Sequence, residues 1–312
     1  MTAASATPAH TVGLFGLGNM GAAIATRLRA LGPVLAYEPD ARRARHVADD
    51  QDLELADGAA DMADLDVVVL SLPTPSVSRQ VVASLIGSLS PGSLIVETST
   101  INPTDVRSLQ ELCAPAAVRL VDAAILSGVE QMRQGSSMLL IGGEDEDVAL
   151  AQPALDAMTP RQQRFGPLGS GMAAKVINNA VAHAVMVVLT EAGAMASATG
   201  VRRADLARLL AGADGGLTRP LTHRFVERIL EGDYEGGMST EAARKDSTLA
   251  LELAQASQTP LFAVQAAHTV YELATSEGMG RFDYAAIAML WEGWTGRPFA
   301  DTDEGEPHAG DR

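Results

Sequence analysis

The sequence predicts an α/β fold in its first half and an all-α fold in its second. Three observations lead there. Short apolar runs alternate with helix-period segments between residues 11 and 167. Strand signals stop from Gly169 onward, where helical segments follow one another. The chain has 312 residues, which is long for one hydrophobic core. The expected domains are 11–167 and 168–298, with a flexible leader at 1–10 and a flexible tail at 299–312.

The elements follow in order. Thr11–Phe15 is a short apolar strand ending at a glycine turn. Ala22–Leu31 sets Ile24, Leu28 and Leu31 at helical spacing and is closed by Gly32-Pro33. Val34–Tyr37 is the next strand, and Ala41–Ala48 is a polar, arginine-rich helix capped by Asp40. Val67–Leu72 is a continuous apolar run of the kind buried on both faces. Val77–Leu89 reads as a helix, Pro91-Gly92 turns the chain, and Leu94–Glu97 is a strand. A helix at Thr104–Leu112 and strands at Arg119–Ile125 and Met138–Ile141 complete the first half. This alternation implies a mainly parallel sheet with crossover helices. In the second half, Met172–Thr199 is a long, alanine-rich apolar helix. Arg203–Ala211, Arg219–Leu230, Ser239–Ala256, Pro260–Glu277 and Asp283–Gly293 are further helical segments, most of them separated by Gly or Pro.

Composition narrows the function classes. Lys and Arg number 23 against 39 Asp and Glu, and the net charge of −16 opposes nucleic acid and anionic membrane surfaces. An anionic substrate therefore needs a local positive cluster. A single cysteine, Cys113, excludes an intrachain disulfide and fits a reducing, cytoplasmic setting. Met1–His10 lacks the basic and apolar regions of a signal peptide, and Asp301–Arg312 is acidic and rich in Gly and Pro. No apolar run is read as long enough to cross a bilayer. There is no fixed-period repeat, no metal-ligand spacing and no Ser-centred elbow.

Two segments carry the chemistry. Gly16-Leu17-Gly18-Asn19-Met20-Gly21 follows a strand and opens a helix, which is the context a dinucleotide-binding turn requires. Gly16 permits the tight turn, Gly18 lets the backbone approach a pyrophosphate, and Gly21 allows close helix–strand packing. Glu38 ends the second strand about twenty residues on, where a carboxylate accepts from the ribose hydroxyls and repels a 2′-phosphate, so NAD is expected ahead of NADP. Arg42 and Arg43 keep NADP possible, though a solvated helix face explains them as well.

The second segment is Lys175-Val-Ile-Asn-Asn179, entered through Gly169-Ser-Gly171. Positions i, i+3 and i+4 put one amine and two carboxamides on one helix face. A lysine at its usual pKa of about 10.4 is a poor proton acceptor at neutral pH. Burial and a cationic nicotinamide both lower that value, and such an amine can exchange a proton with an alcohol as hydride moves. Asn179, one turn on, can hold a substrate oxygen without charge. A lysine snorkelling at a helix start is the plainer explanation, and the apolar helix with its two asparagines argues against it.

At this point the chain resembles the β-hydroxyacid dehydrogenase family, the group of 3-hydroxyisobutyrate dehydrogenase. The matching residues are the glycine turn, Leu72-Pro73, Glu97-Thr-Ser-Thr100, Asp122-Ala-Ala, Gly169-Ser-Gly171, Lys175-Val-Ile-Asn-Asn179 and Arg244-Lys245-Asp246, in family order over roughly residues 11 to 295. The resemblance implies a Rossmann-like domain followed by an all-helical domain. It implies Lys175 as acid/base, Asn179 as substrate binder, Thr100 with Leu72-Pro73 on the nicotinamide side, and Lys245 closing over the cofactor. Dimers or tetramers are usual in the family.

One departure stands out. The family's Ser-Gly-Gly after this strand holds the substrate carboxylate, but here the run is Leu126-Ser127-Gly128. Either Ser127 takes over with Gly128, or the acid group is held elsewhere. Arg219, in Gly215-Gly-Leu-Thr-Arg219-Pro, is a candidate anion anchor, and a surface arginine before a helix-starting proline is the alternative. His183 is expected in a core or interface, and Trp291 and Trp294 either pack or cap a partner's site. The expected activity is hydride transfer between NAD and a small 3-hydroxyacid. The alternatives are C=N reduction as in imine reductases, which lack this lysine, and a non-catalytic dinucleotide-binding regulator.

Overall fold

A computed structural model describes residues 12–300. The expectations for the leader at 1–10 and for the tail beyond residue 300 lie outside the described residues. The chain divides into two compact units, the first ending at Ala180 and the second beginning at Val181.

The first unit is built on one sheet. Its strands are β1 (Val12–Phe15), β2 (Val34–Tyr37), β3 (Glu54–Leu55), β4 (Val67–Leu70), β5 (Leu94–Glu97), β6 (Arg119–Leu126), β7 (Met138–Gly142) and β8 (Gln162–Gly166). They lie in the order β3-β2-β1-β4-β5-β6-β7-β8, and every neighbouring pair is parallel except β6 and β7. The intervening helices are α1 (Asn19–Leu28), α2 (Ala41–Gln51), α3 (Pro75–Leu85), α4 (Pro103–Cys113), α5 (Val129–Arg133) and α6 (Asp145–Met158). Sequence reading missed β3, α5, α6 and β8. Proline at position 153 hides α6, and β8 carries Gln and Arg where an apolar run was sought.

Local chemistry explains the helix starts. Asp40 caps α2 as expected, accepting from the amides of Arg42 and Arg43. Thr74 caps α3 and proline stands in the first turn of both α3 and α4. Asn102 and Asp105 form a capping box on α4.

The strands alternate between two cores, as the two-residue period of a strand requires. Val12, Leu14, Val96, Val121 and Ala123 face one core; Phe15, Ile95, Leu120 and Ala124 face the other. Buried side chains on both faces account for the unbroken apolar runs.

The helical part comprises α7 (Ser170–Ala198), α8 (Arg203–Ala211), a π-helix (Pro220–Ile229), α9 (Thr240–Ala256), α10 (Ala263–Ala274) and α11 (Ala288–Thr295). The boundary between the two compact units falls inside α7, whose Met172 belongs to a sheet core. Contrary to the sequence expectation, α7 is long and apolar enough to cross a membrane by length and composition, with 29 residues and mean hydropathy 1.6. The Arg219–Leu230 helix is wound as a π-helix, which residue spacing did not reveal.

Candidate active site

The parallel order reverses between β1 and β4, and ligands of such sheets bind at the carboxyl ends of the strands at that switch point. A cavity of about 580 Å³ opens there. It collects Gly16, Gly18, Asn19, Met20, Gly21, Glu38, Leu72 and Pro73, all read from the sequence.

The glycine turn is sterically dictated. Gly16 has φ of 96°, and a Cβ there would stand 2.2 Å from Ser71 O. A Cβ on Gly21 would stand 1.9 Å from Gly16 O, so α1 can start only against a bare backbone. Around Gly18 nothing lies within 4 Å of an added Cβ, which leaves room for a ligand. No side chain caps α1, so its first-turn amides and dipole are available to an anion. These features fit a dinucleotide pyrophosphate.

Glu38 is held in place by its surroundings. Leu17 N–H donates to Oε2 at 2.9 Å, which ties the carboxylate to the turn itself. Asp40 N–H (3.1 Å) and Arg43 Nη1 (3.2 Å) donate to Oε1. Arg43 therefore neutralises Glu38 as well as lining the cavity. Sequence reading missed Tyr37, Val77, Gln80 and Val81, which complete the wall. Val77 and Val81 sit one turn apart on α3, the one signal that pointed to a shared face.

Thr100 is exposed at the end of the β5 loop. Its neighbour Ser99 accepts from Leu72 N–H at 2.8 Å, joining this loop to Leu72-Pro73. Glu97 Oε1 accepts from Ser99 N–H at 2.8 Å. Burial pushes the Glu97 carboxyl up to about 7.

Asp122, the register partner of Glu97 on β6, is fully buried. Its carboxylate accepts from Gly169 N–H at 2.6 Å and Met172 N–H at 2.7 Å. A Cβ on Gly171 would stand 2.3 Å from Leu140 O, so glycine lets α7 lie directly on the sheet. One turn later Lys175 is half-buried, Asn179 is half-buried and Asn178 is exposed. Burial holds the Lys175 ammonium below its usual range. Among the described residues no carboxylate pairs with it in a salt bridge.

Ser127 is half-buried. Its hydroxyl is 2.5 Å from that of Ser137, a fully buried residue on the neighbouring segment. Ser137 is thus its hydrogen-bond partner, and nothing in the residue spacing signalled it. Gly128 is exposed and caps α5. In the second unit Arg219 Nη1 donates to Asp214 Oδ1 at 2.9 Å, so this candidate anchor already has an anion. Lys245 is exposed, with Nζ 3.1 Å from Asp246 Oδ1. His183 is exposed rather than in a core. Trp291 and Trp294 pack edge to face at 5.2 Å.

Comparison with known proteins agrees with this geometry. Residues 11–166 match the NAD binding domain of 6-phosphogluconate dehydrogenase, and residues 169–291 match the NAD-binding region of NADP-dependent 3-hydroxyisobutyrate dehydrogenase. The mitochondrial 3-hydroxyisobutyrate dehydrogenase of Rattus norvegicus is 30% identical over 296 residues, covering 91% of this chain and 87% of that one. The NAD-dependent L-serine dehydrogenase of Pseudomonas aeruginosa is 28% identical over 290 residues, covering 90% and 97%. The structure of Mycobacterium tuberculosis 3-hydroxyisobutyrate dehydrogenase with L-serine is similar at TM-score 0.64 and 26% identity, covering 90% and 99%. An imine reductase of Myxococcus stipitatus with NAD+ shares the fold at TM-score 0.80 and 20% identity, covering 90% and 99%.

Proposed function

From the premise that the chain belongs to the β-hydroxyacid dehydrogenase family, we propose that Lys175 is the general acid/base of its reaction. The enzyme is an NAD-dependent oxidoreductase acting on the hydroxyl of a small hydroxyacid. The observation that carries the assignment is a half-buried lysine without a salt-bridge partner among the described residues, on a helix anchored to β6.

Bound NAD would supply the hydride acceptor or donor for the carbinol carbon. Lys175 as a neutral amine accepts the hydroxyl proton, and as ammonium returns it in the reverse direction. Its lowered pKa enlarges the neutral fraction at physiological pH. Asn179 orients the substrate oxygen. The glycine turn with the α1 N-terminus holds the pyrophosphate, while Thr100 and Leu72-Pro73 line the nicotinamide side. Glu38 accepts from the ribose hydroxyls, which favours NAD, while Arg43 beside it leaves room for NADP.

The names of the relatives point to a 3-hydroxyacid such as 3-hydroxyisobutyrate or serine. With the Ser127 hydroxyl bonded to Ser137, the backbone at Ser127-Gly128 holds the acid group. Leu126 and its strand partner Met138 make that end of the sheet apolar. The protein assembles as a homodimer or homotetramer through its helical unit, where Leu209, Phe262 and Trp294 are exposed.

The test is absorbance at 340 nm with NAD and a panel of short hydroxyacids. Lys175→Ala is expected to lower kcat by about 10²–10⁴ while leaving NAD affinity nearly unchanged. A variant keeping more than about a tenth of the wild-type kcat removes Lys175 from the proton-transfer role.

A further inference from the structure

We propose that Asp122 is a positioning residue for this reaction: its carboxylate holds the first turn of α7 against the sheet and so sets where Lys175 presents its amine. The proposal rests on the reading of Lys175 as acid/base. Four observations carry it.

The first is which face of the sheet is involved. Val121 and Ala123 face one core, so Asp122 points to the other, with Leu120 and Ala124. Met172 of α7 lies in that same core.

The second is the bonding. The two carboxylate oxygens divide the work: Oδ1 takes the amide of Gly169, ahead of the helix, and Oδ2 takes the amide of Met172, inside its first turn. Both contacts are shorter than the usual N–H···O bond, as charge assistance produces. A carboxylate at a helix N-terminus is also favoured by the dipole.

The third is the close approach. Glycine at 171 leaves its backbone against Leu140 O, and an added Cβ would also stand 2.9 Å from Asp122 Oδ2. The turn is thus held by hydrogen bonds on its amides and by contact with the sheet.

The fourth is the reach to the lysine. Met172 and Lys175 are three residues apart and share a helix face. Lys175 stands one turn beyond Met172 in the same helix, so anchoring the first turn fixes the backbone that carries the amine. A shift of the first turn moves Lys175 with it, and a misplacement of about 1 Å in a catalytic group can cost about 10²-fold in rate.

Burial raises the Asp122 carboxyl and the amides of Gly169 and Met172 oppose that rise, leaving it at about 6. The carboxylate form therefore holds the helix at neutral pH. The other titratable group facing it is Glu97, at the paired position on β5. No salt bridge reaches either carboxylate among the described residues, so neither is present as half of an ion pair.

The experiment uses Asp122→Asn, which puts an amide donor against an amide donor, and Asp122→Ser, which keeps a small acceptor. Each is made in the wild-type and Lys175→Ala backgrounds. NADH affinity by fluorescence titration reports whether the first unit is folded. In the wild-type background kcat is expected to fall about 10- to 100-fold, with NADH affinity within about twofold and the lysine limb of the kcat–pH profile displaced. In the Lys175→Ala background the residual rate is expected not to fall further, because residues acting as a unit are not additive. An unchanged kcat and pH profile beside an inactive Lys175→Ala enzyme overturns the proposal alone. Equal losses in both backgrounds overturn it too, since Asp122 then acts by another route. Loss of NADH binding in both variants makes Asp122 a folding residue and also overturns it. A Lys175→Ala enzyme at the wild-type rate defeats the reading of Lys175, and the proposal with it.

Discussion

The sheet unit and the helical unit bury different kinds of residue. In the first, Leu14, Leu17, Ile24, Leu70, Ile95 and Leu139 are among the large side chains sealed from solvent. In the second, the buried apolar residues among those described are alanines at 196, 243, 254, 274, 285, 286 and 288, with Leu290 as the one larger side chain. Its large apolar groups are outside: Leu209 is 66% exposed, Phe262 74% and Trp294 60%. What holds the helical unit inside is polar. Asp283 is fully buried, with Arg224 Nε at 3.1 Å and Arg228 Nε at 3.8 Å. Arg224 lies over the Tyr284 ring, 4.8 Å from its centroid. Glu191, also buried, accepts three amides at the start of α10. Burial of apolar area scales with side-chain size, so a core of alanines supplies little driving force. The first unit completes its core by itself, whereas the second leaves its large apolar side chains on the surface.

The sharpest way to break this comparison is Asp283→Ala. Removing one partner of a buried ion cluster leaves Arg224 and Arg228 uncompensated and is expected to destabilise the helical unit by about 3–5 kcal/mol. Denaturation followed by NADH fluorescence and by far-UV CD should then separate into two transitions, the first unit retaining NADH binding. A single transition that removes both signals would show that the two units fold as one.

Core and surface leucines and aromatics provide the next contrast. Leu139→Ala empties part of a sealed core and is expected to cost about 2–5 kcal/mol. Phe262→Ser removes a side chain with little burial and should leave the subunit's own stability nearly unchanged. If Phe262 anchors an interface, dissociation of the oligomer should rise by about 30-fold, measured by analytical ultracentrifugation. An unaltered assembly would take Phe262 out of the interface.

A pH experiment sharpens the same contrast, because the raised carboxyls lie in the first unit. Glu97 is pushed from 4.5 to about 7 in the folded chain. Its favourable contribution is fully present below about pH 4.5 and is lost as pH rises through about 7, where the buried group must ionise. Stability of the first unit should therefore fall between about pH 4.5 and about pH 7 and level off above that. Glu97→Gln should shrink that fall by on the order of 2 kcal/mol. An identical fall in the variant would assign the dependence to other groups, Asp122 first among them.

The smallest expected effect belongs to Arg219. Its charge is already met by Asp214 on the surface of the helical unit. Arg219→Ala is expected to raise KM for the best acidic substrate by less than about threefold, the scale of an exposed ion pair. A tenfold rise would establish it as the anion anchor instead.

Much of the first unit was legible because its signals are local. A glycine at 16 answers a positive φ, Asp40 caps the helix it precedes, and β4 and β5 announce themselves as unbroken apolar runs. Each rests on residues within one turn or one strand, so spacing alone carries it. The cofactor wall from Gly16 to Gly21 was legible for that reason, and so was the face shared by Lys175 and Asn179. The helical unit shows the limit of such reasoning. Helix positions followed from Gly and Pro, but an apolar stripe does not say whether it meets its own chain or another, and Phe262 and Leu209 stayed outside. Tertiary structure alone decided the pairs that hydrophobic period cannot encode. Ser127 finds Ser137 across ten residues, Leu17 finds Glu38 across 21, and Asp122 finds Gly169 and Met172 across 47 and 50. A polar side chain in a sequence shows only that it needs a partner. Which donor satisfies it is settled when the chain closes on itself and water is excluded, because only then does an unpaired group carry its full desolvation cost.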